Sequence, residues 1–186
     1  GVDDQDVQKD LPKFLSSVSS VGVSRFIIHA RKAWLNGLSP KENRNIPPLN
    51  YNLVYAMKNE FPALHLSLNG GIRSLQEAKA VLDAGLDGVM IGRAAYRYPF
   101  DILAGANEEI YGLKGRTTAL NVVFQMLPYI ENHLQSGGKL NQVTRHMLGL
   151  FNGRAGARMW RRVLSECSHN SGGELVLEAL SYVNRP

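Results

Sequence analysis

Two stretches of the sequence place asparagine, glycine and arginine directly after apolar runs. Asn69, Gly70 and Gly71 end one run, and Gly92 and Arg93 end the next. At the carboxyl end of a parallel strand, glycines let backbone N–H groups approach a phosphate, and the following helix adds its positive end. Arginine adds a permanent guanidinium that can bind a phosphate through two hydrogen bonds. Either stretch alone is a weak signal, because glycine after a strand more often forms only a tight turn, but the pair on neighbouring strands predicts a phosphate site.

A third apolar run ends at His29 and is followed by a long basic loop. The loop covers residues 30–49 and contains Lys41 and Arg44. Loops of this length inside a compact domain are usually lids or binding loops. A histidine at a strand end is more often structural than catalytic, but its position at the rim makes contact with a ligand plausible.

The elements that carry these residues alternate between helix and strand. Apolar periodicity predicts helices over residues 10–21, 51–60 and 74–85, and strands over residues 24–29, 64–68 and 89–91. Such alternation is typical of parallel strands joined by right-handed helical crossovers. The apolar residues 26–28 predict a strand buried on both faces. Pro12 is expected in the first turn of the first helix, where no backbone donor is needed.

Beyond residue 99 the strand signals stop. Helices are predicted over residues 117–135, 140–150, 156–167 and 174–183, separated by glycine-rich turns. We therefore predict two domains, residues 1–110 and residues 111–186, the second a small helical bundle. The first is either the C-terminal part of a (β/α)8 barrel, with its phosphate site after strands seven and eight, or a small open α/β sheet complete in itself.

The charge of the chain is concentrated in two basic regions. The net charge is +5, yet residues 25–44 carry +4 and residues 139–162 carry +6 with no acidic residue, which leaves −5 for the rest. Basic regions on an otherwise acidic body are typical of a protein that binds a polyanion. Solvated basic faces explain the charge alone equally well.

Composition indicates a soluble globular protein. Hydrophobic residues make up 44% of the chain and charged residues 20%, and no apolar run approaches the roughly 20 residues that span a bilayer. The first residues lack the pattern of a signal peptide. The single cysteine, Cys167, cannot form an internal disulfide, and we interpret it as a small core or boundary residue of the tail. We expect a cytoplasmic protein, with an organelle as the alternative.

Four segments carry a resemblance to a known family. HARKAWLNGLSPKENRNIPPLNY begins at His29, NGGI at Asn69, DGVMIGRAAY at Asp87 and TRHMLGLFNGRAGARMWRR at Thr144. The first three closely resemble the tRNA-dihydrouridine synthases, specifically the dihydrouridine synthase A subfamily. The fourth resembles the helical tRNA-binding domain of the same enzymes, so the resemblance covers essentially all 186 residues.

The resemblance implies an α/β fold, namely the C-terminal part of a (β/α)8 TIM barrel that binds FMN, followed by a small all-helical tRNA-binding domain. Members of the family reduce the C5–C6 bond of tRNA uridines with hydride derived from NADPH. The subfamily resemblance implies D-loop uridines 20 and 20a as substrates. It also implies tRNA as the partner, neither a membrane nor a metal, and a monomeric protein.

The resemblance also implies roles for individual residues. FMN would be contacted by His29, Asn69, Gly70, Gly71, Gly92 and Arg93, the last five mostly around its phosphate. tRNA would be contacted by Lys41 and Arg44 in the loop and by Arg158 and Arg161 in the tail. Helical spacing independently places Arg154, Arg158 and Arg161 on one face, opposite Met159, Trp160, Val163 and Leu164.

The sequence departs from the family at the catalytic cysteine. In the family this general acid belongs to an Asn-x-Gly-Cys-Pro motif, which does not occur in this sequence. We therefore expect no catalytic residue in this chain, and a truncated protein that is inactive alone. Two alternatives stay open: a non-catalytic tRNA-binding fragment, and another phosphate-binding TIM-barrel enzyme such as a sugar-phosphate isomerase, which would leave the basic tail unexplained.

Overall fold

Helices and strands alternate through the first half of the chain in the computed structural model, which describes residues 1–166 and 172–183. In chain order they are α1 (Val7–Ser19), β1 (Arg25–His29), α2 (Pro40–Asn43), α3 (Tyr51–Glu60), β2 (His65–Asn69), α4 (Leu75–Asp83) and β3 (Gly88–Met90). They belong to one unit, Gly1–Gly92. The short helix α2 lies inside the predicted loop; the other elements overlap the predicted ones, with α1 shifted toward the N-terminus.

The strands form a parallel sheet in which β2 lies between β1 and β3. In this register Leu68 lies beside Ile28 on one side and Val89 on the other. Leu66 and Leu68 are fully buried on the face that packs against the helices. The predicted α/β class with a parallel sheet is confirmed. Because the strands are parallel, their carboxyl ends lie at one edge of the sheet.

The other face of β1 contradicts one prediction. Residues 26–28 were expected to be buried on both faces, but Ile27 is 61% exposed. Alternate residues of a strand point to opposite faces, so an apolar run is buried only where that face is covered. Phe26 packs edge-to-face on Phe14 of α1, with ring centroids 6.4 Å apart. Within the described residues, the face that holds Ile27 is left open.

Helix α1 begins earlier than predicted. Asp6 caps it, because the Asp6 side chain accepts a hydrogen bond from the Gln8 amide at 3.2 Å. The helix therefore starts at Val7, and Pro12 lies beyond the first turn, where the proline ring removes one helical hydrogen bond. The expectation that Pro12 occupies the first turn is wrong, because an N-cap upstream of the apolar pattern sets the start.

An ion pair joins α3 to the residue before β3. Lys58 Nζ lies 2.8 Å from Asp87 Oδ2, and the Leu66 amide donates to the same oxygen at 2.8 Å. Burial raises the pKa of Asp87, but the hydrogen bonds from Lys58 and Leu66 outweigh burial and hold the pKa below its ordinary value. The pair therefore stabilises the first unit at pH values above the ordinary pKa of an aspartate. This contribution is lost as the pH falls through the lowered pKa of Asp87.

The second unit begins at Arg93 and is built from helices in its described part. They are α5 (Arg93–Arg97), α6 (Pro99–Glu109), α7 (Ala119–Gln135), α8 (Leu140–Thr144), α9 (Ala157–Ser165) and α10 (Glu174–Ser181). Their core includes the fully buried Ile130, Trp160 and Val176. The predicted boundary at residue 110 falls inside this unit, and the assignment of domains stays a prediction. Cys167 lies outside the described residues.

The helix predicted over residues 140–150 ends early. Helix α8 stops at Thr144, and residues 145–156, here called the turn segment, form consecutive turns before α9. Gly153 and Gly156 have φ of +80° and +78°, which ordinary residues rarely adopt. The Trp160 indole donates to the Met147 carbonyl at 3.1 Å, so a side chain from α9 satisfies a backbone group of the turn segment.

The described residues contain neither a membrane-spanning helix nor a cluster of metal ligands. No helix among them is long and apolar enough to cross a membrane. Likewise, no group of three or more histidine, cysteine, aspartate or glutamate side chains in this part of the chain could hold a metal ion.

Candidate functional site

The Asn69 side chain joins the carboxyl ends of β1, β2 and β3. Its Nδ2 donates to the Met90 carbonyl at 2.9 Å, and its Oδ1 lies 2.6 Å from His29 Nδ1. Because an amide oxygen can only accept, His29 Nδ1 must carry the hydrogen of this bond. The other ring nitrogen, Nε2, has no hydrogen-bond partner among the described residues.

The two glycines after Asn69 are required by the fold itself. Gly70 and Gly71 have φ of +116° and +80°. A Cβ on Gly71 would lie 2.5 Å from Leu49 Cδ1 and 2.7 Å from the Tyr51 hydroxyl, and one on Gly70 would lie 3.2 Å from the His29 ring. A side chain at either position would therefore be strained, whatever binds to the turn.

Tyr51, the first residue of α3, stabilises the glycine turn through a hydrogen bond. Its hydroxyl donates to the Gly70 carbonyl at 2.6 Å. Burial, with the nearby charge of Glu77, raises the pKa of Tyr51, so the hydroxyl keeps its proton at neutral pH. Ser74 then caps α4 by accepting a hydrogen bond from the Glu77 amide at 3.1 Å.

The turn has donors to offer to an anion. Among the described residues, none accepts a hydrogen bond from the backbone N–H of Gly70 or Gly71. Backbone N–H groups normally have a partner, and a phosphate oxygen would supply one. The turn therefore fits a phosphate.

Gly92 differs from the other two glycines. It follows β3, and a Cβ placed there would meet nothing within 4 Å. Packing within the described residues does not explain a glycine at this position, whereas a ligand at the strand end would. Arg93 is the first residue of α5 and belongs to the second unit. Its role at a phosphate stays a prediction.

Asn43 fixes the conformation of the basic loop, residues 30–49. The Trp34 amide donates to Asn43 Oδ1, and Asn43 Nδ2 donates to the Trp34 carbonyl, both at 2.7 Å. The same Nδ2 also approaches the Leu38 carbonyl at 3.3 Å. One side chain therefore closes the loop on itself, as a loop with a defined binding surface requires.

The short helix α2 contains Lys41 and is followed at its C-cap by Arg44, the two predicted tRNA-contact residues of the loop. Ser39 and Glu42 form a reciprocal capping box, in which the Ser39 amide donates to Glu42 Oε2 at 2.8 Å. Hydrogen bonds from the Ser39 hydroxyl and then its amide lower the pKa of Glu42. Lys41 and Arg44 are exposed. Because they are three residues apart at this helix, they lie on one side of it.

Helix α9 presents the predicted tRNA-contact residues of the tail. Trp160 and Leu164 are buried, whereas Arg158 and Arg161 are exposed, so the predicted two-faced helix is observed. Arg154 does not belong to this face, because α9 begins only at Ala157.

The sequence did not indicate several residues that shape these sites. Tyr51 supports the glycine turn, Asn43 closes the loop, and Asn152 accepts a hydrogen bond from Arg161 Nη1 at 2.6 Å. Each acts on a residue that is distant in the chain, so no local pattern marks it. Asparagines in loops are the weak signal, since their amides often bond to the backbone.

α/β proteins that bind a phosphorylated ligand often have a glycine turn at the carboxyl edge of a parallel sheet. Proteins that bind a polyanion typically expose arginines on a helix face. The chain belongs to the dihydrouridine synthase (Dus) family, which it matches over residues 1–184. The family predicted from the four sequence segments is therefore confirmed.

Three similar proteins are each named tRNA-dihydrouridine(20/20a) synthase. That of Shewanella oneidensis is 51% identical over 183 residues, which are 98% of this chain and 54% of the relative. That of Escherichia coli (strain K12) is 55% identical over 181 residues, 96% of this chain and 52% of the relative. That of Vibrio cholerae is 49% identical over 187 residues, which cover 98% of this chain and 57% of the relative. The chain thus spans about half the length of the curated relatives it matches.

Two alanine substitutions separate the packing role of these glycines from any ligand role. Gly71→Ala should destabilise the first unit by roughly 2 to 4 kcal/mol, because the methyl group meets Leu49 and Tyr51 at a positive φ. Gly92→Ala, the control, should change stability by no more than about 0.5 kcal/mol, because its methyl group meets nothing. Urea unfolding followed by circular dichroism measures both. Equal effects would contradict the geometry of the turn.

Proposed function

We propose that this chain carries the FMN-phosphate site and the tRNA contacts of an FMN-dependent tRNA-dihydrouridine synthase that acts on D-loop uridines 20 and 20a. The observation that carries the proposal is the turn at Gly70 and Gly71, whose N–H groups have no acceptor among the described residues. Family membership and the name shared by the relatives support the substrate.

The proposed cofactor site lies at the carboxyl edge of the sheet. FMN would be held by His29, Asn69, Gly70, Gly71, Gly92 and Arg93. When bound and reduced by NADPH, FMN would supply the hydride for the uracil C5–C6 bond. The turn N–H groups would bind its phosphate, and Asn69, which orients the His29 ring, would leave Nε2 facing the ligand as a hydrogen-bonding group. A phosphate after two consecutive strands is the arrangement found after strands seven and eight of TIM barrels, so we infer that β2 and β3 are those strands.

The proposed tRNA contacts come from the loop and from α9. Lys41 and Arg44 would bind tRNA phosphates from α2, and Arg158 and Arg161 from α9. Residues 139–162 contain six basic residues and no acid, so nothing within that segment offsets their attraction for phosphates. We infer that the second unit is the all-helical tRNA-binding domain.

No residue of this sequence is assigned as the general acid. The single cysteine, Cys167, is not part of an Asn-x-Gly-Cys-Pro motif. Within the proposed reaction, the residues of this chain bind and orient; they do not protonate the uracil ring.

A segment exchange tests the proposed function. In the Escherichia coli (strain K12) relative, this chain replaces the part that aligns with it, and the hybrid is supplied to a strain that lacks the relative. We expect dihydrouridine to return at tRNA positions 20 and 20a, measured by mass spectrometry. A soluble, flavin-bound hybrid that restores none would contradict the proposal. If that inactive hybrid still binds tRNA, the result would favour a non-catalytic tRNA-binding protein instead.

The tRNA contact of α9 is tested by salt dependence. If Arg158 binds a phosphate, Arg158→Ala should weaken tRNA binding and flatten the plot of log affinity against log salt by about one unit. Arg116, an exposed arginine outside both basic regions, supplies the control. Filter binding of the 186-residue chain to an unmodified tRNA transcript measures both slopes. If Arg158→Ala and Arg116→Ala change the slope equally, α9 is not the contact.

A further inference from the structure

Aromatic and basic side chains are combined at the start of the second unit. Residues 93–100 contain two arginines, two tyrosines and a phenylalanine but no acid, and the turn segment that packs against them lies within the acid-free region 139–162. Exposed aromatic rings interleaved with arginines are typical of surfaces that bind unstacked nucleotides.

Three contacts fix the turn segment on α5 and α6. Asn152 Nδ2 donates to the Arg97 carbonyl at 2.6 Å. A Cβ on Gly149 would lie 2.6 Å from that same carbonyl oxygen, so only glycine allows the approach. The Arg154 guanidinium lies over the Phe100 ring, 4.5 Å from its centroid. These contacts fix the surface formed by residues 93–100 and the turn segment, here called the α5 surface, in one arrangement before anything binds to it.

The α5 surface is continuous with the face of α9 that carries Arg158 and Arg161. While Asn152 Nδ2 bonds to α5, Asn152 Oδ1 accepts from Arg161 Nη1 at 2.6 Å. One amide thus links the backbone of α5 to a guanidinium that is a proposed tRNA contact. A strand of RNA that reaches Arg161 would therefore lie beside α5.

Among the described residues, no group accepts the hydroxyl hydrogen of Tyr96 in α5. Arg145 Nε lies 3.0 Å from His146 Nε2, and His146 Nδ1 lies 3.0 Å from the Tyr96 hydroxyl oxygen. Arginine can only donate, so Nε2 accepts, the ring hydrogen is on Nδ1, and Nδ1 donates to Tyr96. The hydroxyl hydrogen of Tyr96 finds no acceptor in the described part of the chain, and the side chain is exposed.

We propose that Tyr96, presented by His146 and Arg145, is an RNA-contact residue whose hydroxyl donates a hydrogen bond to an acceptor oxygen of tRNA. The inference rests on the proposed function and extends the tRNA contact from α9 to α5. It adds a neutral, directional contact to the arginine contacts, which act mainly through charge. It also gives a purpose to the chain of hydrogen bonds that orients an exposed tyrosine.

The chain contains a matched control for Tyr96. Tyr129 on α7 is 57% exposed, close to the 61% of Tyr96, and its ring stacks on His133 at a centroid distance of 6.4 Å. That pair ends on Gln142 Oε1, which accepts from His133 Nε2 at 2.9 Å, and not on an arginine. The two tyrosines therefore share exposure and a histidine neighbour but differ in their basic surroundings.

The test compares Tyr96→Phe with Tyr129→Phe in the 186-residue chain, which binds an unmodified tRNA transcript over a range of salt concentrations. Tyr96→Phe should weaken binding about threefold to tenfold, the effect of one hydrogen bond. It should leave the salt slope unchanged, because no charge is removed. Tyr129→Phe should bind as the unsubstituted chain does, and thermal unfolding confirms that both variants are folded.

The outcomes separate this inference from the proposed function. Equal affinities for Tyr96→Phe and Tyr129→Phe, while Arg158→Ala flattens the slope, would overturn the Tyr96 contact and retain the α9 contact. Weaker binding by Tyr96→Phe with no effect of Arg158→Ala would retain the Tyr96 contact and overturn the α9 contact. A change of salt slope in Tyr96→Phe would also overturn the inference, because the substitution would then act by displacing Arg145. Absence of tRNA binding would overturn both.

Discussion

The hydrogen bonds of Asn69 are the interaction on which the functional edge of the first unit depends. Parallel pairing brings three strand ends to one edge, but the ladder does not orient side chains beyond it. Asn69 does, since it donates to the Met90 carbonyl and accepts from His29. The same bond sets the hydrogen of the imidazole on Nδ1. Gly70 follows at once, and its lack of a side chain lets the His29 ring lie against the turn.

The second unit uses a different means to orient its charges. Burial of Trp160 and Leu164 in the helical core leaves Arg158 and Arg161 exposed on α9. Hydrophobic burial decides only which face is exposed, and Asn152 then restricts one guanidinium by a hydrogen bond. Pre-oriented arginines lose less side-chain entropy on binding, so each contact with a phosphate contributes more to affinity.

The sequence predicted features that depend on local pattern and missed those that depend on distant contacts. The alternation of elements, the glycine turn and the two-faced α9 follow from periodicity and residue type. The start of α1 depended on the Asp6 cap, and the early end of α8 accompanies a bond from Trp160 to Met147. Exposure of Ile27 could not be predicted, because an apolar run does not say whether its second face is covered.

We propose that the edge at Asn69, Gly70, Gly71 and Gly92 binds the phosphate of FMN. Titration of the chain with FMN and with riboflavin, which lacks only the phosphate, tests it by quenching of flavin fluorescence. FMN should bind about tenfold or more tightly than riboflavin, as expected for charge-assisted hydrogen bonds. Gly92→Ala should reduce the affinity for FMN and leave that for riboflavin unchanged. Equal affinities for the two flavins would contradict the account.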